Sequence, residues 1–265
     1  MTSTAEKAAA LSALHVAGDP LIVVNVWDAM TARIVARTPG VRALATASHS
    51  VAFSLGVDDG EGMSVDMALA AAARITASTE LPVSVDFERG YAPDAAGVRD
   101  NVARLIEAGA AGLNIEDSLA GATSDRRPIE EAAARVAAAR AAADAAGVPL
   151  AINARTDTLA GSPDNWDEAI DRANAYVDAG ATSIFMLGLR TEQMVADAVA
   201  AVRAPIAVFA HPGYLPLARL AELGVGRISF GPQILGLTLH HLAEAAAHLT
   251  ARGEYPAELG YRYEL

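Results

Sequence analysis

Short apolar runs alternate along the chain with longer, Ala-rich stretches whose charged residues recur on one side. The runs are Leu21–Asp28, Val41–Ser48, Leu81–Glu88, Ala111–Asp117, Pro149–Thr156, Thr182–Gly188, Pro205–His211 and Arg227–Gly231. A strand with one wet face alternates apolar and polar positions, whereas a nearly continuous apolar run reads as a parallel strand buried on both faces. The stretches Val65–Ala77, Asp94–Ala108, Ile129–Ala146, Asn165–Asp178 and Thr191–Ala200 carry the pattern of amphipathic helices. Helix-ending glycines close three of the helices, in Ala108-Gly109-Ala110, Ala146-Gly147-Val148 and Ala179-Gly180-Ala181. Eight strands and about eight helices in 265 residues predict an α/β fold, a single closed (β/α)8 TIM-type barrel, rather than a doubly wound sheet. No Pro/Gly/Ser-rich linker divides the chain. Residues 1–265 are therefore read as one domain, with 251–265 as a C-terminal tail.

Composition narrows the partners. Hydrophobic residues make up 52% of the chain, enough to build a core and exclude disorder. Acidic residues outnumber basic ones by 32 to 20, a net charge of −12, which argues against nucleic acid or an anionic membrane as partner. Cysteine is absent, which excludes disulfides, thiolate metal sites and a cysteine nucleophile. The first twenty residues, MTSTAEKAAALSALHVAGDP, lack the basic start and long apolar run of a signal peptide. No apolar stretch reaches the roughly 20 residues of a membrane span. A soluble, cytoplasmic protein is the expectation.

In such a barrel the chemistry sits at the carboxyl ends of the strands. There the sequence places Asn25-Val26-Trp27-Asp28, Thr46-Ala47-Ser48-His49, Asp86-Phe87-Glu88, Glu116-Asp117, Asn153-Ala154-Arg155-Thr156-Asp157 and His211. The sixth and eighth strands end blandly, in Leu187-Gly188 and Gly231. Several carboxylates converging on one mouth repel one another unless a cation sits among them. Hard oxygen donors without cysteine suit Mg²⁺, with Mn²⁺ as an alternative. Asp86 and Glu88, two residues apart, fall on the same side of their strand.

Taken in order, five segments resemble the isocitrate lyase/phosphoenolpyruvate mutase superfamily. They are Asn25-Val26-Trp27-Asp28-Ala29, the run Ser50 to Asp59, Asp86-x-Glu88-x-Gly90-Tyr91, Asn114-Ile115-Glu116-Asp117 and Asn153-Ala154-Arg155-Thr156-Asp157. The resemblance covers about residues 20–250. It implies a barrel whose eighth helix is swapped between subunits, a homodimer or homotetramer, Mg²⁺, and enolate chemistry on a small-molecule α-keto acid. It also implies roles: Asp86 as principal metal carboxylate, Glu88 and Glu116 as companions acting mostly through water, and Asp59 as an outer, substrate-side member. Arg155 corresponds to the superfamily's substrate arginine. The Ala47-Ser48 segment falls where backbone N–H groups hold the substrate carboxylate, with Ala47 replacing a frequent serine.

The departures choose among branches. The superfamily's lyases carry a cysteine acid/base on the loop after the fourth strand, and here that loop reads Ser118 to Pro128 without one. Isocitrate and methylisocitrate cleavage are thereby disfavoured. The phosphonopyruvate branch places an Asn or Thr on this loop, for which Thr123 can stand in, and a His after the sixth strand, where Leu187 and Gly188 stand. An oxaloacetate-decarboxylating branch resembles this chain in lacking the cysteine and in placing a histidine near His211, which would relay the enolate proton. His49 is read as lining the mouth or lying on a loop, with the loop preferred. His15, His240, His241 and His248 are read as surface or interface residues. Three of the six tyrosines lie in the tail, pointing to subunit packing or to docking within the chain. The leading function is Mg²⁺-dependent C–C cleavage such as oxaloacetate decarboxylation. The alternatives are phosphonate P–C chemistry and an inactive ligand-binding barrel.

Overall fold

The computed structural model describes residues 2–119, 122–251 and 253–255. The strands are β1 (Leu21–Val26), β2 (Leu44–Thr46), β3 (Val83–Asp86), β4 (Gly112–Glu116), β5 (Ser118–Leu119), β6 (Ala122–Arg126), β7 (Ala151–Thr156), β8 (Ser183–Met186), β9 (Ile206–Phe209) and β10 (Arg227–Ser229). Eight of them close a parallel barrel in the order β1-β10-β9-β8-β7-β4-β3-β2. Each lies inside one of the eight apolar runs. The remaining two, β5 and β6, pair antiparallel and turn the start of the segment expected to be a plain loop into a small ribbon. Ala120, Gly121 and the side chain of Thr123 lie outside the described residues, as do tail residues 256–265 with Tyr261 and Tyr263.

The helices are α1 (Thr4–Ala13), α2 (Ala29–Ala36), α3 (Ser48–Ser54), α4 (Val65–Thr76), α5 (Ala95–Glu107), α6 (Ile129–Ala145), α7 (Thr158–Gly161), α8 (Trp166–Asp178), α9 (Glu192–Ala201), α10 (Leu217–Glu222) and α11 (Gln233–Thr250). Their starts follow ordinary capping: Ser3, Asp28, Ser64, Asp94 and Thr191 each accept a first-turn N–H. No helix among the described residues is long and apolar enough to cross a membrane.

Strand residues two apart share a face, so each barrel strand sends alternate residues into the lumen. Asn114 stands opposite Asn153, and Glu116 opposite Arg155. Below the mouth this layer is polar and hydrogen-bonded: Asn153 Nδ2 donates to Asn114 Oδ1 at 2.9 Å, and Ser183 Oγ to Asn153 Oδ1 at 2.7 Å. Arg227 reaches across the lumen, its Nη1 donating to Ser84 Oγ at 3.2 Å, and burial lowers its pKa to about 10. Helix α1 closes the far end. A Cβ at Gly112 would stand 2.6 Å from the Ala151 oxygen and 2.8 Å from Leu11, so α1 seats there only against glycine.

His15 corrects a sequence expectation. It is not a surface residue but 7% exposed, because the chain leaving α1 folds back against the start of β10. Its Nδ1–H donates to the Leu11 carbonyl at 2.8 Å while Nε2 is buried without a partner. Burial, with the Arg227 charge adding, lowers its pKa to about 4. His240, His241 and His248 are exposed on α11, as expected.

Candidate active site

At the carboxyl end of the barrel lies a cavity of about 260 Å³. Asp59, Asp86 and Arg155 line one part of it, with Ala47, Ser48 and His49; Phe185, Leu187 and Phe209 form an apolar wall. The space suits a small, highly charged molecule rather than a large apolar one.

Asp86 ends β3 and is fixed from its neighbour strand. Its backbone N–H donates to Thr46 Oγ1 at 2.8 Å, and its Oδ2 accepts the Ser48 N–H at 3.0 Å. Ser48 opens α3, whose N-cap residue Ala47 has no side-chain oxygen to offer. Asp86 therefore caps the helix from outside, satisfying an otherwise orphaned amide. The backbone N–H expected for a substrate carboxylate is thus engaged by Asp86 at Ser48. Asp86 Oδ1 has no protein donor among the described residues.

Glu88 follows in a turn, 3% exposed, and both its oxygens are used. Oε1 accepts the Tyr91 hydroxyl and Oε2 the Glu61 N–H. Burial pushes its pKa up to about 7; the Tyr91 bond opposes this and the Asp86 charge adds to it. Glu61 in turn accepts the Tyr91 N–H at 2.8 Å and pairs with Arg89 at 3.4 Å. Glu61, Glu88 and Tyr91 are the three non-glycine residues with positive φ among the described residues, at 61°, 46° and 53°. Such conformations cost on the order of 1 kcal/mol each and persist only where surroundings impose them. All three belong to one hydrogen-bonded knot beside Asp86. Arg135, buried on α6, holds that loop from behind through the carbonyls of Arg89, Ala92 and Pro93, at 3.1, 3.1 and 2.6 Å.

Arg155, ending β7, is committed to two carboxylates. Asp157 takes its Nε–H and one Nη2–H at 2.6 and 2.8 Å, and Glu116 lies 2.9 Å from Nη1. The guanidinium also stands 5.7 Å from the Phe185 ring centre. Burial alone would lower its pKa, but Glu116 and Asp157 outweigh it and the net shift is upward. Three of its five N–H donors are engaged, leaving two for a ligand. Glu116 also accepts the Ser118 hydroxyl at 2.6 Å; burial raises its pKa, against the pull of Arg155.

The structure thus brings Ala47, Ser48, Asp59, Asp86 and Arg155 to one cavity, with Glu116 joined to it through Arg155 and Glu88 in the turn that follows Asp86. It does not bring His211 there. His211 is exposed, its Nδ1–H donates to the Pro212 carbonyl at 2.9 Å, and its ring lies between Phe209 and Tyr214 at 5.4 and 5.3 Å. It lines a second cavity of about 210 Å³ that shares Leu187 and Phe209 with the first. Asp28 is a helix cap, Asn25 clamps the Phe230 and Gly231 amides at 2.8 Å, and Asp117 binds Tyr176 and Arg172 in the wall. Sequence reasoning missed Asp157, Glu61 and Tyr91 as site residues. The spacing of Asp157 from Arg155 was the available signal, while Glu61 had only its flanking Gly60 and Gly62.

These donors fit a hydrated divalent cation. No three acidic or histidine side chains among the described residues converge closely enough to hold an ion by themselves. Asp86 keeps one free oxygen, however, and its charge raises the pKa of both Glu88 and Glu116, a repulsion that a cation would relieve. One direct carboxylate and several retained waters is the usual manner of Mg²⁺.

The closed parallel barrel, with an acidic mouth and an arginine tethered to two carboxylates, is of the TIM type. The chain belongs to the phosphoenolpyruvate phosphomutase family, whose model matches residues 11–250, and so to the isocitrate lyase/phosphoenolpyruvate mutase superfamily. It is 36% identical to 2-methylisocitrate lyase of Escherichia coli, over 77% of this chain and 70% of that one. Oxaloacetate decarboxylase of Rhodopseudomonas palustris is 34% identical over 70% of this chain and 67% of its own. A solved phosphonopyruvate hydrolase, in complex with oxalate and Mg²⁺, superposes with a TM-score of 0.85 at 25% identity, covering 97% and 93% of the two chains.

Proposed function

We propose that this protein is a divalent-cation-dependent lyase that cleaves a C–C bond in a small α-keto dicarboxylate through an enolate, most simply by decarboxylating oxaloacetate. The observation that carries this reading is the small cavity that joins Asp86, with its free oxygen, to the two unengaged donors of Arg155. The similarity to oxaloacetate decarboxylase and the lack of the lyases' cysteine support the same choice.

Asp86 would hold Mg²⁺, or Mn²⁺, with Glu88 and Glu116 behind it. When bound, the cation supplies Lewis acidity, drawing charge from the keto group and offsetting the negative charge of the enolate. Arg155 binds a substrate carboxylate through its remaining N–H groups, in an orientation set by Asp157. Phe185, Leu187 and Phe209 limit water on the opposite wall and leave room for departing CO₂. His211 shapes the adjoining wall through its tilted contact with Phe209 and its stack on Tyr214.

The similarity to phosphonopyruvate hydrolase supports a second reading, P–C cleavage through the same enolate. The intact set of Asp86, Glu88, Glu116 and Arg155 weighs against an inactive ligand-binding barrel. Leu237, Leu239, Leu242 and Leu249 are exposed on α11, which supports a homodimer or homotetramer with this helix exchanged or packed between subunits; light scattering of the purified protein tests it. A cytoplasmic location is part of the same proposal. The deciding experiment is a screen of C4–C6 α-keto and 2-hydroxy acids and phosphonopyruvate with Mg²⁺ or Mn²⁺. Pyruvate with CO₂ supports the first reading, and pyruvate with phosphate the second.

A further inference from the structure

An enolate must gain a proton at carbon to become a keto acid, and the cavity offers few groups that could give one. Its titratable side chains are Asp59, Asp86, Arg155 and a single histidine, His49. Asp86 belongs with the cation, and a guanidinium does not release its proton in a protein. His49 sits in the first turn of α3, next to the Ser48 amide that Asp86 caps. Its ring stacks on Phe53, one turn further along, with centroids 4.1 Å apart and planes 19° from parallel. That stack holds the ring without consuming a nitrogen. Nδ1 is buried with no hydrogen-bond partner, and Nε2 has none among the described residues either. Buried polar atoms are ordinarily paired, so a cavity-lining imidazole with both ring nitrogens uncommitted to the protein keeps them available for proton transfer. His211 presents the opposite picture, facing the neighbouring cavity with its Nδ1 proton pinned by the Pro212 carbonyl.

We propose that His49 carries the proton to and from C3 of the α-keto acid whose enolate this cavity stabilises. The inference rests on the enolate reading above but not on which bond is broken to form the enolate. In decarboxylation the C3–C4 bond breaks, its electron pair enters the enolate, and CO₂ leaves. The imidazolium of His49 then gives a proton to C3, producing pyruvate, and regains one from solvent. Run on pyruvate, the same step is reversible: the imidazole takes a methyl proton, and in D₂O it returns a deuteron.

The test is exchange of the pyruvate methyl hydrogens in D₂O with Mg²⁺, followed by proton NMR, beside binding of oxalate as an enolate analogue. Two variants are compared with the wild type: His49→Gln, which keeps polarity, and His49→Phe, which keeps the stack on Phe53. Wild-type protein should exchange the methyl protons. Both variants should bind oxalate within about threefold of wild type and exchange at least about 10²-fold more slowly, the usual worth of a positioned acid–base group. If one variant fails to fold, the other decides. A folded variant that exchanges at the wild-type rate overturns the assignment, and so does wild-type protein that binds oxalate but catalyses no exchange. Exchange that depends on His49 in a protein that leaves oxaloacetate intact would sink the decarboxylase reading and leave His49 in place.

Discussion

Asp157→Asn tests whether the site arginine is held by the protein rather than by its ligand. Asp157 is completely buried, accepts two hydrogen bonds from Arg155 at 2.6 and 2.8 Å, and donates its own N–H to Asp117 Oδ1 at 3.1 Å. Asparagine has the same size but only one acceptor, so one N–H of the guanidinium would face an amide N–H instead of an oxygen. Removing one partner of a buried ion pair costs about 3–5 kcal/mol. Glu116, 2.9 Å from Nη1, still neutralises the arginine, which places the expected loss near the lower figure, about 3 kcal/mol. For a chain of 265 residues the unfolding entropy is roughly 0.5–0.6 kcal/mol per degree, so Tm should fall by about 5 °C in a calorimetric scan. Freed on one edge, Arg155 should turn toward Glu116, and KM for the keto acid should rise several-fold with a smaller change in kcat. A variant whose Tm and kcat/KM both match wild type would refute the argument that Asp157 sets the orientation of Arg155.

Other consequences follow from the same contacts. Arg155→Lys should raise KM and lower kcat together, because an ammonium cannot span Asp157 and a substrate carboxylate at once; unchanged kcat/KM would make Arg155 a purely structural residue. His15, held at about 4 against an ordinary 6.5, stays neutral when folded while the unfolded chain binds a proton. The His15 contribution to stability should therefore be complete above about pH 6.5 and fall by about 3 kcal/mol as pH drops to 4, while Glu88, raised to about 7, acts in the opposite sense over the same window. The difference in urea-derived stability between wild type and His15→Gln should carry that slope across the range, and a difference that does not vary with pH would refute it.

The barrel was legible because its strands are buried on both faces. That burial writes eight apolar runs into the chain, and every barrel strand lies within one of them. The glycines after α5, α6 and α8 were legible for the same local reason: a helix leaving for a strand needs a left-handed residue. Short helices such as α3 and α7 were not, since seven and four residues give no period to detect. Of the site, Asp86 and Arg155 stood out as charges closing apolar runs, a pattern with few structural explanations. Glu61 and Tyr91 were hidden because their roles depend on a loop-to-loop contact and on positive φ values that the residue types disfavour. His15 was misread because its burial comes from a fold-back of the chain at the barrel's closed end. His49 and His211 show the limit most plainly: both end apolar runs, and only the three-dimensional wall they occupy separates them.

Asp86 and Arg155 together make up the proposed cation-dependent site for a small α-keto dicarboxylate. This assignment is tested most directly by following oxaloacetate with the chelator-treated protein after adding back Mg²⁺, measuring pyruvate and CO₂ against a protein-free Mg²⁺ control. Equal amounts of pyruvate and CO₂ should form well above the control, with none above it without the cation and none with Asp86→Ala, while Glu88→Ala and Glu116→Ala lose less. Turnover by Asp86→Ala at the wild-type rate in chelator-treated buffer would contradict the assignment.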